Sequence, residues 1–382
     1  MRFIHTADWH LGRVFHNASL LEDQQHILDQ LILTVEQRQP DALIVAGDVY
    51  DKAIPSEGAI RLLEDFIQQV GGALNVPLIM ISGNHDSGAR LSFASGLLAK
   101  ASVHIVGKAE LETRPIILTD EHGEVYFYPL PYLSPLAARS LYRDADIKTH
   151  QDVIRRQIDC INAEHPTDKR KVLIMHEFVG GAEESDSERQ LTVGGASQID
   201  AGILRDFDYV AMGHLHRPQA TGGDHIRYSG SLLKYSFSEV HHHKGVTEVV
   251  LDGDGFAECL SVPLQPLRNM RIVRGRLEEI VQQARLDACS DDYICAELLD
   301  EGALYEPMRR LQEVYPNTLE IKYVVQSSPQ GISGDKSFHE LHKQDVTELF
   351  DEFYRHVCAE PLNDPQRQFV KTIVEQLEQT DH

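Results

Sequence analysis

Five apolar runs in this chain end alike, each passing directly into histidine, aspartate or asparagine. Phe3–Thr6 leads to Asp8-Trp9-His10, and Asp41–Ala46 to Gly47-Asp48. Pro77–Ile81 leads to Ser82-Gly83-Asn84-His85-Asp86, Val172–Met175 to His176, and Asp208–Met212 to Gly213-His214-Leu215-His216. A short apolar run bounded by turn residues reads as a strand buried on both faces. Glycine at 83 lets the backbone turn sharply, which throws Asn84 and His85 out at the carboxyl edge of a sheet. A fold for this chain has to account for all five endings together.

The intervening pattern is that of a layered α/β domain. Ile27, Leu28, Leu31, Ile32 and Val35 have helical spacing, as do Ile60, Leu63, Phe66, Ile67 and Val70, so strand and helix alternate through the first three endings. Leu91–Lys100 reads as a further helix, and 103–106, 115–118 and 125–129 read as strands. The polar stretch 180–190 reads as a surface loop. Ile226–Tyr228, Val246–Leu251 and Phe256–Val262 are expected to form an antiparallel closing sheet, with Asp252-Gly253-Asp254-Gly255 as a hairpin turn. After the linker 264–267, strand and helix patterns between 270 and 325 describe a small α+β domain. Two amphipathic helices follow: one carries Val346, Leu349, Phe350, Phe353 and Val357, and the other begins at Asp364-Pro365. The expected boundaries are 1–263, 268–326 and 337–380.

The chemistry lies in the endings. Residues two apart in an extended segment point the same way, so Asp8 with His10, and His214 with His216, each offer two ligands to one locus. The set Asp8, His10, Asp48, Asn84, His176, His214 and His216 contains imidazole, carboxylate and amide oxygen but no thiolate, which favours Mn²⁺, Fe²⁺ or Zn²⁺ over a structural zinc cage. Seven ligands exceed one tetrahedral ion and suit two ions sharing a carboxylate, the arrangement that drives in-line attack at phosphorus. His241-His242-His243 reads as a polar hairpin loop. A formal charge of −23, about half of it after Gly275, argues against a free-standing nucleic-acid binder. No run approaches a membrane span and the first residues lack a signal-peptide layout. Five scattered cysteines without Cys-x-x-Cys pairs fit a reducing cytoplasm.

In order, these motifs resemble those of the calcineurin-like metallophosphoesterases (D-x-H, G-D, G-N-H-[DE], H, G-H-x-H), from about Met1 to Val262. The resemblance implies a four-layer α/β/β/α sandwich followed here by an α+β capping domain and a C-terminal helical pair. It implies one metal on Asp8, His10, Asp48 and His216, and another on Asp48, Asn84, His176 and His214, with Asp48 bridging. His85 would protonate the leaving alkoxide or stabilise the transition state, and Asp86 would orient His85 through its ring nitrogen. The stretches His5–Gly12, Val45–Asp51, Gly83–Ser87, Ala211–His216, Arg227–Ser231 and Tyr235–Glu239 are similar to the SbcD family of bacterial nuclease subunits. That likeness implies a cytoplasmic, nucleoid-associated, Mn²⁺-dependent nuclease in DNA repair and recombination, with Mg²⁺, Fe²⁺ or Zn²⁺ as other candidate ions. It would act as an exonuclease on double-stranded ends and an endonuclease on hairpins and single strands. Its partners would be an SbcC-type coiled-coil ATPase on the terminal helices and a second copy, paired through helices near 60–70 and 91–100. Arg13 and Arg90 are the candidates for touching DNA. Asp51 stands where purple acid phosphatases place a tyrosine ligand, and where archaeal and eukaryotic relatives place a histidine, so neither role carries over. The competing readings are a small-molecule phosphodiesterase of the same superfamily and a non-catalytic scaffold.

Overall fold

A computed structural model of the chain describes residues 1–188, 198–302, 304–324, 350–351, 354–355 and 360–380. Two compact units are defined: Met1–Val273 with Asp287–Cys295 and Tyr315–Glu320, and Arg274–Leu286 with Ala296–Val314 and Ile321–His382.

The first unit is built on two six-stranded sheets. One has the spatial order 255–263, 245–252, 2–6, 42–46, 78–81, 103–106; the other runs 219–220, 226–228, 209–213, 170–176, 123–130, 116–120. Strands 2–6, 42–46, 78–81 and 103–106 are mutually parallel, as are 123–130, 170–176, 209–213 and 226–228. The period of two divides each run between two cores. Ala42, Ile44, Ile79 and Ile81 meet Val125, Phe127, Val172, Ile174, Tyr209 and Ala211 between the sheets. There the Phe3 ring stands edge-on to Phe127 and Tyr209, with centroids 5.7 and 5.6 Å away. Leu43, Val45, Leu78 and Met80 face the other way, onto Ile27, Leu28, Leu31, Leu63 and Phe66 of the helices Leu21–Arg38 and Glu57–Ile67. Leu173, Met175, Val210 and Met212 pack on Ile154, Ile158 and Ile161 of the helix His150–Glu164. Each such burial contributes about 1.5–3 kcal/mol. The result is the expected α/β/β/α order of layers.

Three local expectations change. Leu91–Lys100 is not one helix but the short turns Gly88–Leu91, Ser95–Leu98 and Ala99–Ala101, because Ala94 takes a left-handed φ of 60°. Ile226–Tyr228 joins the second sheet, parallel to 209–213, while 245–252 and 255–263 form their hairpin on the first. The helices Pro135–Tyr142 and His150–Glu164 lie in a stretch given no helical reading. The second carries a Thr149/Asp152 capping box that announces it.

In the second pattern of elements, strands 270–275, 293–298 and 318–323 form a three-stranded sheet, with helices Leu277–Ala284 and Pro307–Gln312 between them in sequence. The helix Asp364–Thr380 starts where the Asp-Pro signal places it. Of the preceding expected helix, Val346, Leu349, Phe353 and Val357 lie outside the described residues, and Phe350 lies in a short helical piece. No helix among the described residues is long and apolar enough to cross a membrane.

At the edge of the second sheet, Asp120 accepts Nη1 and Nη2 of buried Arg170 at 2.9 and 2.5 Å, and the amino group of Met1 at 2.5 Å. The Arg170 guanidinium holds the Asp120 carboxyl well below the usual carboxylate range. A depressed folded-state pKa means the unfolded chain binds the proton more readily, so stability rises with pH in that range. The contribution is present above the unfolded value of about 3.9 and is lost as pH falls below it. Asp120→Asn is therefore expected to cost about 1–2 kcal/mol at pH 7, with the difference from wild type shrinking below about pH 4. Denaturant melts across pH 2.5–7 check this; a gap independent of pH would rule out the ion pair as its source.

Candidate metal centre

The five motifs meet at the carboxyl ends of the central strands of both sheets. They do not meet by strand alternation: the strand at 2–6 stops before Asp8, and Asp8, His10, Asp48 and His214 all have positive φ, at 54°, 46°, 47° and 105°. Left-handed turns, each costing on the order of 1–3 kcal/mol, aim the side chains. Cross-strand bonds hold them there: Asp8 N donates to Gly47 O at 3.0 Å and His10 N to Asp48 O at 2.9 Å. Gln24 braces the same loop, donating to His10 O at 2.7 Å and accepting from Gly12 N at 2.8 Å. Glycine at 83 is a matter of space, since a Cβ there would stand 2.2 Å from Asp48 Oδ1.

All seven expected ligands come together. His10 Nε2 and His216 Nε2 are 3.1 Å apart, and His10 Nε2 is 3.8 Å from Asp48 Oδ2. On the other side, His176 Nε2 lies 3.3 Å from Asp48 Oδ2 and 3.0 Å from Asn84 Oδ1, which is 3.3 Å from His214 Nδ1. Asp8 groups with His10 and His216, and also with Asp48 and His176. Asp8, Asp48 and the four histidines are buried. Lone-pair atoms from seven side chains thus converge with no lysine or arginine among them, which suits divalent cations.

The protonation pattern points the same way. Burial would lower His176, but the Asp48 carboxylate outweighs it and lifts the ring to about 10. Asp48 is pushed below the normal range: burial opposes this, and His176 and His10 overcome it. Burial raises Asp8 to about 7; burial, with His176, lowers His214 to about 3. The cluster attracts positive charge, and a cation would displace the His176 proton.

His85 is only half-buried, beside this cluster, its ring edge-on to His10 with centroids 4.8 Å apart. Its main-chain N donates to Asp48 Oδ1 at 2.8 Å. The role expected for Asp86 is not what the structure has. The Asp86 carboxylate accepts the N–H groups of Gly83, Val49 and Tyr50 at 2.9–3.0 Å, tying two loops together. His85 Nδ1 instead meets the main-chain oxygen of Asp51 at 2.9 Å. Backbone donors on both loops claim the carboxylate before the ring can. His10, Asp51 and His85 form a third close trio. Its charge is already met, because Arg13 Nη1 sits 3.0 Å from Asp51 Oδ1 with its guanidinium over the Tyr235 ring. Arg13 is thus mostly buried and paired, while Arg90 is exposed on the turn 88–91.

Four residues outside the motifs also belong to the site. Ser187 Oγ is 2.6 Å from His216 Nδ1, and Glu188 Oε1 accepts His216 N at 2.8 Å, so this part of the polar loop is docked on the cluster. Glu239 and Lys244 stand behind them. Burial would raise Glu239, but Lys244 and His216 hold it below the carboxylate range. Of the histidine triplet, His242 lies 3.9 Å from Glu239, and none of the three joins a metal-capable group among the described residues.

A two-sheet sandwich with this cluster on its strand ends defines a metal-dependent phosphoesterase, and the chain belongs to the calcineurin-like phosphoesterase family, whose model matches residues 1–218. The SbcD nuclease subunit of SbcCD from Staphylococcus epidermidis is 34% identical over 374 residues, covering 98% of each chain. A second family model, described as the type 5 capsule protein repressor C-terminal domain, matches residues 266–357. Among solved structures, a dimetal phosphatase from Danio rerio aligns with a TM-score of 0.41 at 13% identity, over 69% of this chain and 99% of that one.

Proposed function

We propose that the chain is the nuclease subunit of an SbcCD-type complex, hydrolysing phosphodiester bonds at DNA ends and hairpins with two Mn²⁺ ions. The observation that carries this is the 98% coverage of both chains in the likeness to an SbcD nuclease subunit. A small-molecule phosphodiesterase explains the metal cluster equally well but leaves residues 266–357, which match a second family model, without a task.

Asp8, His10, Asp48 and His216 would hold one ion, and Asp48, Asn84, His176 and His214 the other. When bound, the pair supplies Lewis-acid stabilisation of charge at phosphorus and activation of water at neutral pH. The protein does the rest. Buried turns at Asp8, His10 and Asp48 fix the donor atoms before substrate arrives. Asp86 clamps the loop carrying His85 to the loop carrying Asp48. His85 moves a proton at Nε2, toward the departing oxygen.

The partner and domain readings belong to the same proposal. Residues 268–326 would act as a cap, and 337–380 as the site for an SbcC-type ATPase that brings most of the phosphate contacts. Exposed Ile60, Phe93 and Leu97 offer apolar surface for pairing of two copies through the segments near 60–70 and 91–100. Purified protein with Mn²⁺ is expected to cleave hairpin DNA and to leave a cyclic nucleotide largely intact; the reverse preference would discard the nuclease reading. Co-expression with a long coiled-coil ATPase should yield a stable complex, lost on truncation at Gly334.

A further inference from the structure

Glu239 is a fully buried carboxylate with no place among the seven ligands. It ends the short turn Phe237–Glu239. Its Oε1 lies 3.3 Å from His216 Nδ1 and accepts the hydroxyl proton of Ser187, whose oxygen is itself 2.6 Å from the same Nδ1. Its Oε2 accepts Lys244 Nζ at 2.6 Å. Lys244, also buried, donates further to the main-chain oxygen of His216 at 2.7 Å and to Ser231 Oγ at 2.8 Å. One ion pair therefore grips a single histidine by its ring and by its backbone.

Donors and acceptors here leave little freedom. Ser187 has one proton, and the carboxylate, which only accepts, takes it. The Ser187 oxygen must then accept from His216 Nδ1, as Glu239 Oε1 does. Nδ1 consequently carries a proton, and in the neutral ring the lone pair is at Nε2, the atom that faces His10 Nε2 across 3.1 Å. Stability does not account for burying these two charges, because apolar replacements of similar volume are commonly neutral or stabilising.

We propose that Glu239, held by Lys244, is a positioning residue that sets the tautomer and orientation of His216, so that Nε2 presents its lone pair to a divalent cation. This rests on His216 being a metal ligand, as proposed above. Carboxylates behind ligating histidines typically change metal affinity by about 10–100-fold.

The test is Mn²⁺ titration of the full chain, by calorimetry and by the EPR signal of free Mn²⁺, which resolves affinity and number of sites without an activity assay. The double variant Glu239→Gln/Lys244→Met removes both charges at nearly constant volume and leaves no uncompensated buried charge, and a cooperative thermal melt shows that it folds. One Mn²⁺ site should weaken about 10–100-fold while the other keeps its affinity. Glu239→Gln alone, which preserves shape, should weaken the same site. His216→Ala separates the two layers of the reading. If it leaves both sites at wild-type affinity, His216 is not a ligand. If it abolishes one site while both Glu239 variants bind Mn²⁺ as wild type does, the positioning role is overturned.

Discussion

Asp48→Ala is expected to remove both cations at once and to cut hydrolysis by about 10³-fold or more, roughly 4 kcal/mol of barrier. Asp48 Oδ2 approaches both halves of the cluster, 3.8 Å from His10 Nε2 and 3.3 Å from His176 Nε2. Its other oxygen anchors the main chain of His85. Alanine would take away the charge that both proposed ligand groups share, and one of the acceptors that fix the His85 loop to them. The metal-free protein should suffer less, because the mutual repulsion of buried Asp8 and Asp48 disappears with the carboxylate. Metal content after equilibration with Mn²⁺ and thermal melts with and without it give the readouts. Wild type should gain stability with added ion, about 2.7 kcal/mol at 100 times the dissociation constant, and the variant should gain none. Two tightly held ions in the variant would mean that Asp48 does not bridge.

The layers and the cluster are readable in the sequence because both follow from strong local signals. Continuous apolar runs are what strands covered on both faces require, and each run ends in a residue that has no reason to sit in a core. The means of convergence is not readable. Asp8 and His10 converge through left-handed turns, a conformation that their residue types do not announce. Asp86 misleads for a related reason: adjacency in Gly83–Asp86 suggests contact with His85, whereas backbone donors from residues 49 and 50, distant in sequence, capture the carboxylate. Gln24 leaves a fainter trace, a polar side chain on the buried face of a helix beside Ile27, Leu28 and Leu31. Ser187 leaves none beyond membership of a polar stretch, and Glu239 only its place in the stretch Tyr235–Glu239, since their roles exist only once residues 187, 216 and 239 share a site. Short-range pattern recovers elements; the bonds that tie one loop to another appear only in three dimensions.

His85→Ala is expected to lower kcat on DNA by about 10²–10⁴-fold while leaving both Mn²⁺ sites filled. The tautomer decides why. The main-chain oxygen of Asp51 can only accept, so His85 Nδ1 must donate to it across 2.9 Å. Any proton that the ring gives up or takes in the reaction therefore moves at Nε2. The ring is not among the seven proposed ligands, and its loop stays anchored through the Asp86 carboxylate and the bond from residue 85 N to Asp48 Oδ1. The loss should consequently fall on chemistry rather than on metal content. A DNA alkoxide is a poor leaving group and needs a proton as the P–O bond breaks; a nitrophenolate does not. With bis-p-nitrophenyl phosphate the variant should lose no more than about tenfold. Equal losses on the two substrates would make His85 a stabiliser of charge at phosphorus rather than a proton donor, and unchanged DNA cleavage would remove it from the reaction.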